Sequence, residues 1–129
     1  MEATLAYTAF LMLLIGTIDL GHILFLHQSI NERVRDAVRY GTSRPAGNDT
    51  DTAVKNIVLY NTATPAQTAT PSFGLTPQNV TVSRVPGAGE NPARITVTVT
   101  ALAFRFLTPF AHGTRTAREI KVTLPVETE

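Results

Sequence analysis

Hydrophobic and polar positions along this chain follow three rhythms. Residues 3–26 are predominantly apolar without alternation, with Asp19 as the one formal charge and Phe10-Leu11-Met12-Leu13-Leu14-Ile15 as the densest run. Higher up, Ile23, Leu26, Ile30, Val34, Ala37 and Val38 recur every three or four positions, opposite a polar side carrying Glu32, Arg33, Arg35, Asp36 and Arg39. That period predicts one helix running from residue 2 to Tyr40 and ending at Gly41. At about 1.5 Å per residue it is long enough to cross a bilayer with a turn or more to spare. Its lower half has no polar side and its upper half has one, which fits a stem in lipid or in a helical bundle joined to a head in water.

After Gly41 the pattern breaks. Residues 42–50 form a turn-rich linker, and residues 51–60 place Val54, Ile57 and Val58 at helical spacing behind polar N-cap candidates, predicting a short helix. Residues 61–78, rich in Thr, Pro and Ala, read as an exposed loop that adds nothing to a core and whose hydroxyls offer sites for O-linked sugars. From residue 79 the period becomes two: Val80 and Val82, then Ile95, Val97 and Val99, then Ile120, Val122, Leu124 and Val126, each set alternating with polar neighbours. Three half-buried strands follow, joined by residues 86–92 as a hairpin loop and by residues 107–116, in an antiparallel meander. The apolar parity switches at Ala101, with Leu102, Phe104 and Phe106 next, so a bulge or bend is expected between Ala101 and Ala103.

The predicted fold is α+β: an N-terminal helix over residues 1–41 (apolar stem 1–26, amphipathic upper half 27–41) and a head over residues 42–129 of one short helix and a three-stranded antiparallel sheet. Ile30, Val34, Val38 and Tyr40 are the positions expected to pack the helix on the head, and the stem is expected to remain uncovered by its own chain.

Composition narrows the function classes. With 129 residues the chain is one domain, and 11 Lys+Arg against 10 Asp+Glu leaves a net charge of +1, which argues against a nucleic-acid surface. The absence of cysteine excludes disulfides, Cys-ligated zinc, iron–sulfur clusters and thiol chemistry. A secretory signal would carry a positive start and a small-residue cleavage site, whereas here Met1-Glu2 opens the run and helical sequence continues past Leu26. The three histidines make no metal site by spacing: His22 and His27 point about 140° apart on a helix, and His112 sits in a loop. Asn48-Asp49-Thr50-Asp51 contains calcium-type ligands but no ligand series, and the same residue types cap helices and form turns. No nucleophile elbow, phosphate loop or paired-carboxylate pattern occurs, so neither an enzyme nor a cofactor is expected.

Two acids in the apolar segment carry more information, because an uncompensated carboxylate there costs several kcal/mol. Glu2 either sits at the water interface or pairs with the amino terminus of a neighbouring subunit and sets the register between packed helices. Asp19 either bonds His22 one turn on or meets another helix or a water pocket.

Together, Glu2, the apolar run, Gly16-Thr17-Ile18-Asp19-Leu20-Gly21-His22 and Arg35-Asp36-Ala37-Val38-Arg39-Tyr40-Gly41 resemble the TadE-like pilin family of tight-adherence pili. Asp19 and Gly21 sit in register with the family's Gly-x-x-Asp-x-Gly-Arg element, and Val38 stands for an alanine in its last element. His22 replaces the usual arginine, and Thr8 stands where an early proline is common. The family acid lies farther from its cleavage point than Glu2 lies from Met1, so either the chain starts inside a longer precursor or processing differs.

The resemblance implies a structural subunit held in the inner membrane and then assembled, with copies of itself or other pilins, into an extracellular type IV-like filament for adhesion. It also implies a prepilin peptidase and pilus assembly machinery as partners, and it leans toward a minor pilin while the sequence shows nothing against a major, polymerising one. Glu2, Phe10, Leu13, Gly16, Asp19, Gly21 and His22 are the expected assembly positions on the helix. The alternative is a membrane-tethered extracytoplasmic binding module that does not polymerise.

Overall fold

The computed structural model describes residues 2–88, 92–105 and 114–126. One helix, α1 (Glu2–Thr42), runs without a break and is followed by α2 (Asn48–Tyr60), short 3-10 turns at Ser72–Gly74 and Pro77–Asn79, and strands β1 (Val80–Val85), β2 (Arg94–Val99), β3 (Ala103–Arg105), β4 (Thr114–Thr116) and β5 (Ile120–Pro125). The α+β architecture read from the periodicity is the one observed.

The end of α1 is set by chemistry in its last turn. Thr42 Oγ1 donates to the Arg39 carbonyl at 2.8 Å and Ser43 Oγ to that of Tyr40 at 3.1 Å, satisfying carbonyls that the helix leaves open. Pro45 then disfavours continuation. Gly41 is not the left-handed cap the sequence predicts, since it remains inside the helix. Its role is close approach: a Cβ at Gly41 would stand 2.5 Å from Ile95 Cδ1 and 3.0 Å from Val54 Cγ2. This glycine lets α1, α2 and β2 meet.

Three strands form one antiparallel sheet in the order β1-β2-β5, with β2 central. Its inner rows are Val80–Val99–Ile120 and Val82–Val97–Val122, and the outer face carries Thr81–Thr98–Lys121 and Ser83–Thr96–Thr123. Both helices lie on the inner face, α1 against β2 and β5 and α2 against β1. Ile30, Val34, Ala37 and Val38 of α1, Val54, Val58 and Leu59 of α2, and Ile95, Val97 and Val99 of β2 are buried together as one core.

Two expectations need correcting. The chain does not continue past Ala101 as a bent strand of the same sheet. Ala101 adopts a left-handed backbone (φ 55°), β2 ends before it, and β3 pairs with β4 in a separate two-stranded ladder between β2 and β5. That turn keeps Leu102 in the core despite the change of parity. Phe106, His112 and the Phe104 side chain lie outside the described residues.

The 61–78 segment also differs from its expected role. Leu75 is buried in the core and Phe73 packs against it, because two large apolar side chains suffice to pin an otherwise polar loop. Asn79 Oδ1 accepts from both the backbone N–H of Thr76 (2.7 Å) and its hydroxyl (2.6 Å), fixing the turn that leads into β1.

Candidate functional site

A helix can present its full circumference to surroundings other than its own domain only where no other element reaches it. In α1 that condition holds for residues 2–14, every one of which is exposed. From Ile15 upward one stripe turns inward: Ile15 and Ile23 are partly covered, and Asp19, Leu26, Ile30, Val34, Ala37 and Val38 are buried. The expectation of a stem uncovered up to residue 26 is therefore corrected. The bare part ends near Leu14, and residues 15–26 are covered on one side only.

The outward face is strongly apolar. Phe10 is 60% exposed and Leu13 70%, and Leu5, Tyr7, Ile18, Leu20, Leu24 and Phe25 stand out with them. Only 11% of the most apolar window is buried, unlike the core helix of a water-soluble domain, and α1 is long and apolar enough to cross a membrane. Two hydroxyls on this stretch are locally satisfied: Thr8 Oγ1 donates to the Thr4 carbonyl and Thr17 Oγ1 to the Leu13 carbonyl, each at 2.8 Å. Such back-bonding removes the cost of an unfulfilled hydroxyl in lipid or in a packed bundle.

The positions singled out in the sequence fall into two groups. Glu2, Phe10, Leu13, Gly16, Gly21 and His22 are exposed, while Asp19 is buried at 6% exposure and engaged. Asp19 and His22, one turn apart, thus occupy different surroundings. A methyl group built on Gly16 or Gly21 meets nothing within 4 Å among the described residues, so packing among these gives no reason for either glycine. On the head side Ile30, Val34 and Val38 are fully buried, and Tyr40 is partly buried beneath the Arg44 guanidinium, 4.4 Å from its ring centroid.

Charged residues of the upper helix and head make contacts that periodicity did not reveal. Arg33, assigned by pattern to the polar side, lies half-buried over the Phe73 ring at 4.6 Å. Its Nη1 is buried without a hydrogen-bond partner among the described residues, and burial holds its pKa below the ordinary arginine value. Asp51, a candidate cap or calcium ligand in the sequence, instead accepts from Arg84 Nε at 2.7 Å, while Gly47 caps α2. No group of three or more His, Cys, Asp or Glu side chains suited to a metal ion occurs among the described residues. The only local sign of the Arg84–Asp51 pair was an arginine on the apolar parity of β1, beside Val80 and Val82.

Residues 1–39 match the family model described as TadE-like protein. The matched range takes in the apolar run and the Asp19-Leu20-Gly21 element and stops one residue short of Tyr40. No curated protein and no solved structure matches the chain.

Proposed function

We propose that this chain is a structural, non-catalytic pilin-like subunit of a tight-adherence pilus, which assembles through α1. The carrying observation is the helix whose predominantly apolar residues 2–14, and one side of residues 15–26, are uncovered by their own chain. The TadE-like match over the same segment supports association with such a pilus.

In this reading the stem resides in the inner membrane after processing by a prepilin peptidase. The assembly machinery then moves it among the stems of other copies or other pilins in an extracellular filament used for attachment. Exchanging lipid for neighbouring helices changes the hydrophobic term little, so association draws on close packing and a few polar pairs. Gly16 and Gly21, open on the outside of the helix, allow a second backbone to approach, and Glu2 is the acid available at the stem's start. Nucleic acid has no part in this function.

The test is electron microscopy of sheared surface filaments labelled with an antibody to the head. Continuous labelling makes the chain a shaft subunit, and sparse or terminal labelling makes it a minor pilin. Filaments without label, with all the protein retained in the membrane fraction, overturn the assembly reading in favour of a tethered module.

A further inference from the structure

We propose that the end of the head farthest from the stem carries a cleft that binds an acidic, partly aliphatic peptide segment of a partner protein, a function separate from stem packing. The cleft, of about 1110 Å³, opens where the last turn of α1, residues 43–46, the facing ends of β1 and β2, and the end of β5 converge. Arg39, Arg44, Arg84 and Arg94 line it, and no Asp or Glu does so among the described residues. Arg84 is paired with Asp51, so Arg39, Arg44 and Arg94 carry the positive charge of the cleft, a local gathering in a chain whose net charge is only +1.

Two of these arginines are held from behind. Arg84 is fixed by Asp51 through Nε and its Nη2 is buried beside Gly41, so it shapes the wall of the cleft and does not offer that nitrogen to a ligand. Arg44 stacks on Tyr40, a contact that uses the face of the guanidinium and leaves its in-plane N–H donors available. Arg94 is exposed in the row Val85–Arg94–Pro125, the outer-face row that ends the sheet, and borders the cleft from that side. Arg39 contributes least, since it also faces the negative end of α1. Side chains already positioned lose less entropy on binding, and their forks match carboxylates.

The apolar wall decides the ligand class. Val85 is 56% exposed, the one large hydrophobic residue outside α1 left so among the described residues, and Pro45, Pro86 and Pro125 line the cleft beside it. An inorganic anion or a sugar acid engages the charge alone, whereas a peptide that mixes carboxylates with aliphatic side chains engages both.

The experiment is fluorescence anisotropy of the full chain in detergent micelles with a labelled heptapeptide of glutamates interspersed with valines. Saturable binding is expected, weakened about tenfold or more by Arg44→Gln with Arg94→Gln and unchanged by Lys121→Gln, which lies outside the cleft. Val85→Ser tests the apolar wall independently and should also weaken binding. Equal affinity in all variants overturns the proposal. Competition by polygalacturonate or inorganic phosphate as effective per charge as the peptide overturns the peptide assignment. Binding seen only after Glu127→Gln with Glu129→Gln overturns it in favour of the chain's own terminus as the occupant. None of these readouts depends on filament formation.

Discussion

Arg84 and Asp51, 33 positions apart in sequence, meet with Nε and Oδ1 at 2.7 Å and tie the end of β1 to the first turns of α2. Both side chains are largely shielded, at 17% and 33% exposure, so the pair ranks between a surface bridge and a buried one. Asp51→Asn removes the charge that compensates Arg84, whose Nη2 is already without a partner among the described residues. It should lower head stability by about 1–2 kcal/mol, read from the urea midpoint in micelles. Replacing both residues with apolar ones of similar size should cost less than Asp51→Asn alone, and a larger loss would contradict this account.

Gly41 should resist any side chain. Gly41→Ala gains up to about 1 kcal/mol of helix propensity but drives a methyl group into Ile95 Cδ1, so the net change is small and destabilising. Gly41→Val, with more to accommodate, should cost about 2 kcal/mol or more. Ile95→Val deletes the clashing atom, so thermal melts of Gly41→Ala with Ile95→Val should show a smaller loss than the sum of the two single changes.

Arg33 separates packing from charge. Arg33→Met keeps an aliphatic body over Phe73 and removes the buried nitrogen without a partner among the described residues, so it should be neutral or stabilising by about 1 kcal/mol. Arg33→Ala should destabilise. Because burial lowers the folded-state pKa, the native chain binds fewer protons than the unfolded one once the pH is alkaline enough for this arginine to titrate. Stability from this group therefore rises in that alkaline window and has no slope at neutral pH, where both states are charged.

In the stem, Gly16→Leu meets open space among the described residues and should leave the head's melting temperature unchanged. In cells it should reduce filament yield severalfold if other stems approach at this point. Glu2→Ala should likewise slow assembly without unfolding the head. Normal filament yield in both variants would remove the packing argument.

Leu75→Ala should cost about 2–4 kcal/mol, although its neighbourhood is dominated by Thr, Pro and polar residues. This residue marks the limit of what the sequence disclosed. Long, strongly periodic segments were legible because burial imposes a repeat, as with Ile30, Val34 and Val38 on α1 and Ile95, Val97 and Val99 on β2. Leu75 and Phe73 are buried or half-buried without periodicity, and a composition argument averages them away. Gly41 and Arg84 were obscured for another reason: their roles depend on partners from α2 and β2 that local sequence does not bring to mind. At Ala101 the parity switch was visible, but a bulge and a new ladder leave the same trace. For the stem, the exposed positions follow from the apolar run, whereas the cover over Asp19 does not.

A single helix shared by stem and head also fixes how a load travels. Strand β5 runs alongside the upper part of α1, with Val122 and Leu124 bordering Glu32, Arg35, Asp36 and Arg39. A pull along the axis of α1 therefore loads its buried stripe from Leu26 to Val38 lengthwise. The layers are sheared along Ile30, Val34, Ala37 and Val38 rather than peeled apart one contact at a time. Many small contacts must then slip together, so resistance should scale with the length of that seam, and shortening it from Val38 downward should lower the force at which the head detaches from its helix.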